Sequence, residues 1–191
     1  MKKLLTIMLA LLLSTVAGAQ SAESLYTEGK KLYDAKDYTQ ALAKLRPAAE
    51  KGHKKAQYRL GLCYDKGRGV AEDDVQAFQW YAKSAAQGYA KAQYQLGKCY
   101  KNGEGCEKDR TKAVELFTLA AKQDNADAEY QLGKAYLKGK GIAADEGKAR
   151  TWLKRAVTNP KGGKEIVDEL RQEAAQGDAD AKQILTIVGK K

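Results

Sequence analysis

From Ala56 onward the apolar and polar positions of the chain recur at an interval of 36 residues: AQYRLGLCYDKGRG begins at Ala56, AQYQLGKCYKNGEG at Ala92 and AEYQLGKAYLKGKG at Ala128. Residues 56–91 match residues 92–127 at 14 of 36 positions, so the period describes a whole structural unit and not a single motif. Along the first half of a unit, Ala56, Leu60, Cys63 and Tyr64 fall on one side of a helix that turns about 100° per residue, which predicts a helix of about 12 residues buried along that side. A glycine inside each such helix (Gly61, Gly97, Gly133) costs roughly 1 kcal/mol relative to alanine. That cost predicts close approach of a second helix, with Ala77, Ala113 and Ala149 as the matching small residues. The glycine pairs Gly67/Gly69, Gly103/Gly105 and Gly139/Gly141 end the first helices, the first of each pair being suited to the left-handed conformation. Val70, Cys106 and Ile142 then read as apolar pins beneath the loop, and Asp73, Asp109 and Asp145 as caps of the second helix. The second helices are expected to bury Phe78 and Tyr81, Val114 and Phe117, and Leu153.

The flanks vary this unit. Gly29 aligns with Gly61 at a spacing of 32 but Ala41 with Ala77 at 36, so residues 20–55 form an N-terminal unit with a loop four residues shorter. After the break Asn159-Pro160-Lys161-Gly162-Gly163, residues 164–191 carry a further helix pair. Terminal units of this kind cover an otherwise exposed apolar face. The prediction is a single all-α solenoid over residues 20–191, with about five helix pairs and central units at 56–91, 92–127 and 128–163. Residues 1–19 are read separately. Lys2 and Lys3 precede an apolar run from Leu4 to Leu13, and Ala17-Gly18-Ala19 follows as a small-residue cleavage site, the pattern of a secretory signal peptide. The expected location is therefore periplasmic or extracellular. No later stretch approaches the roughly 20 apolar residues a spanning helix needs.

The pattern AQYxLGxxYxxGxGVxxDxxxAxxWYxKxAxQGxA, read from Ala56 to Ala90, resembles the Sel-one-like repeat, a relative of the tetratricopeptide repeat. The resemblance covers residues 56–163 in three units, and residues 20–55 look more like an ordinary tetratricopeptide repeat. The third unit departs from it with Arg150 where an aromatic or aliphatic residue is usual, and it lacks the AxQG ending. The resemblance implies a right-handed α-α superhelix whose concave face binds a protein or peptide. It specifies a class of job and no particular partner.

Catalytic chemistry is sparse. His53 is the only histidine, which excludes zinc sites built on two or more histidines. Ser21, Ser24 and Ser84 begin no S-x-x-K and lie in no G-x-S-x-G. Gly67-Arg68-Gly69 is followed by Glu72 where a dinucleotide fingerprint needs glycine. No enzyme activity, metal or cofactor is expected. Cysteine-rich bacterial relatives have been credited with acting on β-lactams, which keeps an envelope hydrolase as the remotest alternative.

Charge and cysteine usage refine this picture only slightly. Formal net charge is +10, and removal of Lys2 and Lys3 leaves 32 basic against 24 acidic residues, a balance of +8. That balance allows an acidic partner, and binding of an acidic polymer through a basic groove is the second alternative. Lysines interleaved with acids through every unit argue against nucleic acid. Cys63 and Cys99 share a column with Ala135, as small residues on a packed face do. A Cys99–Cys106 disulfide remains open if the two Cα atoms lie within about 7 Å. The resemblance adds that relatives staple their repeats at columns where this chain has no cysteine.

Residues on the side opposite Leu60 are the candidate ligand contacts: Tyr58 and Leu62 in one copy, Tyr94, Lys98 and Lys101 in the next, then Tyr130 and Lys134, with Tyr26 and Lys30 in the same frame upstream. Tyrosine gives a large contact area with a polar tip at low entropic cost. Two readings stand side by side: a tyrosine ladder flanked by lysines that grips a peptide, or tyrosines packed between neighbouring first helices with the lysines solvated.

Overall fold

The computed structural model describes residues 20–190 as ten helices, with no strand among the described residues. In chain order these are α1 (Ala22–Asp34), α2 (Tyr38–Glu50), α3 (Lys54–Asp65), α4 (Asp74–Ala86), α5 (Ala90–Asn102), α6 (Arg110–Ala121), α7 (Ala126–Lys138), α8 (Glu146–Thr158), α9 (Gly163–Ala175) and α10 (Ala179–Val188). They pair as α1/α2, α3/α4, α5/α6, α7/α8 and α9/α10, so the chain is a helical solenoid of five pairs. The signal-peptide segment 1–19 lies outside the described residues. No described helix is long and apolar enough to cross a membrane.

Local chemistry sets the helix starts. Asp73, Asp109 and Asp145 each accept a hydrogen bond from the backbone amide three residues on, those of Gln76, Lys112 and Lys148. Such caps satisfy donors that the first turn leaves unpaired. His53 does the same for α3, its Nδ1 accepting from the Ala56 amide at 3.1 Å. Where α5 and α7 end, Gly103 and Gly139 adopt the left-handed conformation, with φ of 85° and 62°.

The mid-helix glycines admit the second helix closely, as the sequence suggests, but what fills each of them is chiefly a large side chain. A Cβ at Gly61 would lie 2.6 Å from the Tyr81 ring, at Gly97 2.6 Å from that of Phe117, and at Gly133 2.7 Å from Leu153 Cγ. Ala77, Ala113 and Ala149 are buried as expected, yet the residue seated on each glycine is the bulky one four positions later. The first helix therefore holds a recess for a large side chain of the second. Gly29 repeats the arrangement with Leu45 in the N-terminal pair.

A buried polar stitch closes each unit. Gln87 Nε2 donates to Gln57 Oε1 at 2.8 Å, and Gln123 Nε2 to Gln93 Oε1 at 2.8 Å. In the third unit Asn159 Nδ2 donates to Glu129 Oε2 at 2.9 Å. Gln57, Gln93 and Glu129 are all buried, and a buried polar group without a partner is costly. Glu129 is fully buried, and the charge it brings is met by Arg155 Nε at 2.5 Å. The missing AxQG ending is thus a substitution inside a retained pair. Arg150 has an equally local reason: its counterpart Phe78 packs edge-on against Tyr100 of the next unit at 5.3 Å. No fourth copy supplies such a tyrosine beyond Arg150, which is exposed.

Units meet through their loops. Gly69, Gly105 and Gly141 press against the backbone at Tyr38, Asp74 and Arg110, the first turn of the preceding unit's second helix in every case. At the far end, Ile166, Leu170 and Ile184 of α9 and α10 pack with Leu153 and Val157 of α8. This covers the apolar flank that the last repeat would otherwise expose.

Candidate functional site

The candidate contacts divide at about the middle of the array. Toward the N-terminus, Tyr26 is buried and stacks on His53 with ring centroids 4.3 Å apart. Lys30 Nζ donates to Asp34 Oδ2 at 2.8 Å. Tyr58 lies 6.0 Å from the Tyr81 ring and edge-on to Tyr89 at 5.3 Å, and burial pushes its hydroxyl up to about 12. Leu62 packs on the core. Along this end the side chains fill space between helices.

The C-terminal half differs in its lysines. Its tyrosines pack much as Tyr58 does: Tyr94 and Tyr130 are half-buried, Tyr94 beside Phe117 at 6.0 Å. Lys98 lies over the Tyr94 ring at 5.9 Å and Lys134 over Tyr130 at 5.0 Å, one helical turn along in each case. Burial raises the pKa of both hydroxyls, and carboxylates add to it: Asp127 and Glu169 for Tyr94, Glu173 and Glu169 for Tyr130. Lys101 reaches from α5 to α7, where its Nζ donates to Gln131 Oε1 at 3.1 Å. Burial, with repulsion from Lys134 and Lys98, holds the Lys101 ammonium below the usual lysine range.

Lys101 and Lys134 open into one cavity of about 390 Å³ between α5, α6 and α7, closed at one side by α10. Four more cations line it: Lys108, Arg110, Lys138 and Lys140. Its floor is apolar, made by Ala113, Val114, Phe117 and Ala135, with the amides of Asn102 and Gln131 at the wall. One carboxylate enters, that of Asp180 from α10, ion-paired with Lys138. The Lys138 bond holds the Asp180 carboxyl below its ordinary range, and Lys134 and Lys140 reinforce this.

Periodicity places Lys98, Lys101 and Lys134 on a common side but does not reach Lys138, Arg110 or Lys140. Lys138 follows Lys134 by four residues, a spacing that puts both on one helix face. Arg110 and Lys140 arrive through the docking of the 139–141 loop on α6, which no single-helix projection contains. Cys63, Cys99 and Cys106 are all free thiols, so the bridge considered for Cys99 and Cys106 is not formed in this structure. Burial pushes the Cys63 thiol up to about 11 and the Cys99 thiol up to about 12.

Nothing in this arrangement assembles a nucleophile and base. His53 is engaged at both ring nitrogens, by the Ala56 amide and by Glu23 Oε2 at 2.9 Å. The Ser84 hydroxyl donates to the Lys54 carbonyl at 2.7 Å. Among the described residues no group of three or more histidine, cysteine or acidic side chains could hold a metal ion.

A stack of helix pairs with a charged recess defines a helical-repeat scaffold. The Sel1 repeat matches residues 54–89, 90–125 and 126–159, more than half of the chain, and the protein belongs to the Sel1 repeat family. Sel1 repeats generally mediate protein interactions and are typically non-catalytic. The fold is similar to that of a Sel1 repeat protein from Oxalobacter formigenes (TM-score 0.68, 32% identity, 84% of this chain and 74% of that one). It is also similar to a protective antigen of uropathogenic Escherichia coli with an SLR fold (TM-score 0.73, 32% identity, 93% of this chain and 40% of that one). DAP3-binding cell death enhancer 1 of Rattus norvegicus is 49% identical over 37 residues, which is 19% of this chain and 7% of that protein.

Proposed function

We propose that this protein is an exported, non-enzymatic scaffold that binds a peptide or protein along the side formed by α5 and α7. One observation carries the reading. Among the described residues Lys98, Lys101 and Lys134 stand there beside half-buried tyrosines and make no ion pair, the field of Lys98 reaching only as far as Asp127, whereas their N-terminal counterpart Lys30 is paired with Asp34. An unpaired cation over an aromatic face keeps its donors available to a ligand, and the tyrosine supplies contact area. Export rests on the Lys2/Lys3, Leu4–Leu13 and Ala17-Gly18-Ala19 pattern, and mass analysis of the mature protein is expected to find Gln20 at its N-terminus.

The test is recovery of cross-linked partners from native cell envelope. Lys98→Gln with Lys134→Gln is expected to abolish capture and to leave the thermal midpoint nearly unchanged, since both side chains are only half-buried. Tyr94→Ala is a poorer choice because it would also strip packing from Phe117. A second reading, binding of an acidic polymer, is favoured by the six cations of the cavity. It predicts an affinity that falls steeply with salt, and a shallow salt slope would count against it.

A further inference from the structure

The cavity between α5, α6 and α7 has a chemistry of its own. Six cationic side chains face it against one carboxylate, and that carboxylate is engaged by Lys138. Among the described residues Lys101, Lys108, Arg110, Lys134 and Lys140 make no ion pair. Like charges held this close repel, and that repulsion adds to burial in holding the Lys101 ammonium below its usual range. Anything that brings negative charge into the recess relieves it.

The chain itself shows which anion fits. Asp180 is delivered from α10 as a carboxylate on a peptide backbone, and it sits within the fields of Lys134, Lys138 and Lys140. On the α5 and α6 side, among the described residues, no carboxylate enters the cavity to meet Lys101, Lys108 and Arg110. The remaining wall is unsuited to a bare phosphate chain: Phe117, Val114 and the two alanines offer apolar contact. The Asn102 and Gln131 amides can both donate and accept, as a peptide main chain requires. A volume near 390 Å³ falls within the roughly 300–1,000 Å³ typical of ligand pockets.

We propose that this cavity is a recognition pocket for an acidic peptide segment, taking carboxylate side chains against Lys101, Lys108 and Arg110 and an adjoining apolar side chain on the Phe117 floor. The proposal rests on the scaffold reading above and specifies the partner's chemistry.

The test is fluorescence anisotropy with the rhodamine-labelled peptide GELDELG, its uncharged counterpart GQLNQLG, and inorganic polyphosphate as competitor. The full mature chain is expected to bind the acidic peptide roughly tenfold or more tightly than the amide peptide. Lys101→Met with Lys134→Met is expected to lose about tenfold or more in that affinity, and Lys31→Met with Lys55→Met, which removes the same charge elsewhere, less than about twofold. Lys101→Met alone should not lower the thermal midpoint, so loss of binding is separable from loss of fold.

Equal weakening by the two double variants, equal binding of the two peptides, or displacement of the acidic peptide by polyphosphate from the Lys31→Met/Lys55→Met protein alone overturns the pocket. Failure of the wild-type chain to bind the acidic peptide while it still captures a partner through Lys98 also overturns the pocket, and leaves the scaffold standing. Peptide binding without partner capture does the reverse.

Discussion

The α1/α3 end and the α5/α7 end are built on one frame, with tyrosines at 26, 58, 94 and 130, yet the cations beside those tyrosines are placed differently. At the first end Tyr26 stacks on His53 and Tyr58 is hemmed in by Tyr81 and Tyr89. Arg59 pairs with Asp34 at 3.2 Å and lies over the Tyr33 ring at 4.7 Å. At the second end the lysines outnumber their acids and border a recess. A repeat thus fixes where a side chain stands, and the neighbours delivered by the adjoining units decide whether it is ion-paired or left facing a recess.

The largest break in this comparison is Tyr81→Ala. It empties the Gly61 recess and removes the donor to Asp65, and urea denaturation is expected to show a loss of about 3–5 kcal/mol. Acidic-peptide affinity, measured while the protein is folded, should not change. Glu129→Ala is next: it leaves Asn159 without its buried side-chain acceptor and takes from Arg155 its buried carboxylate, with Asp124 and the Ala121 carbonyl still in reach. We expect a loss of about 1–3 kcal/mol. Glu129→Gln restores the amide pair found in the two preceding units and should cost less than about 1 kcal/mol, so a Gln variant as unstable as the Ala variant would refute the stitch.

Alkaline pH separates Tyr58 and Lys101 by sign. Tyr58 has its folded value raised to about 12 against an unfolded value of about 10. The fold favours its neutral form, so that contribution is intact below the unfolded value and is lost as pH rises through the folded one. Lys101 is depressed in the fold. Its charged form is penalised at neutral pH, and the penalty fades as pH climbs through its folded value toward the unfolded one. Denaturant midpoints across this range should fall less steeply for Tyr58→Phe than for wild type, and any advantage of Lys101→Met should shrink. The smallest effect is expected from Lys30→Met: its exposed pair with Asp34 is of the kind that contributes little, and thermal scans should register no measurable loss.

Most of the fold was legible because its determinants are local and repeated. The aspartate caps at 73, 109 and 145, the glycine stops and the buried leucines each follow from a few neighbouring residues. The glycine recesses are legible in part: the spacing shows a close helix approach, but Ala77 and Tyr81 share a helix face and only tertiary packing shows that the Tyr81 ring fills the recess at Gly61. The site was legible in part. Lys98, Lys101 and Lys134 came from helical spacing, but the cavity also needs Arg110, Lys140 and Asp180, contributed by a helix start, a loop and a helix more than 40 positions from Lys138. The packing of Tyr26 was equally out of reach, since it depends on a histidine whose first role is to cap α3.

The glycines at 69, 105 and 141 each rest on the unit before their own, never on the unit after. That gives the array a direction in time as well as in space. A ribosome delivers the chain from its N-terminus, and domains generally fold in that order. When Gly105 emerges, the α4 start it must lie against has already been made, and when Gly141 emerges so has that of α6. Each unit is in effect cast on its predecessor, so nearest-neighbour contact lets the solenoid lengthen from its N-terminus without waiting for sequence still to come.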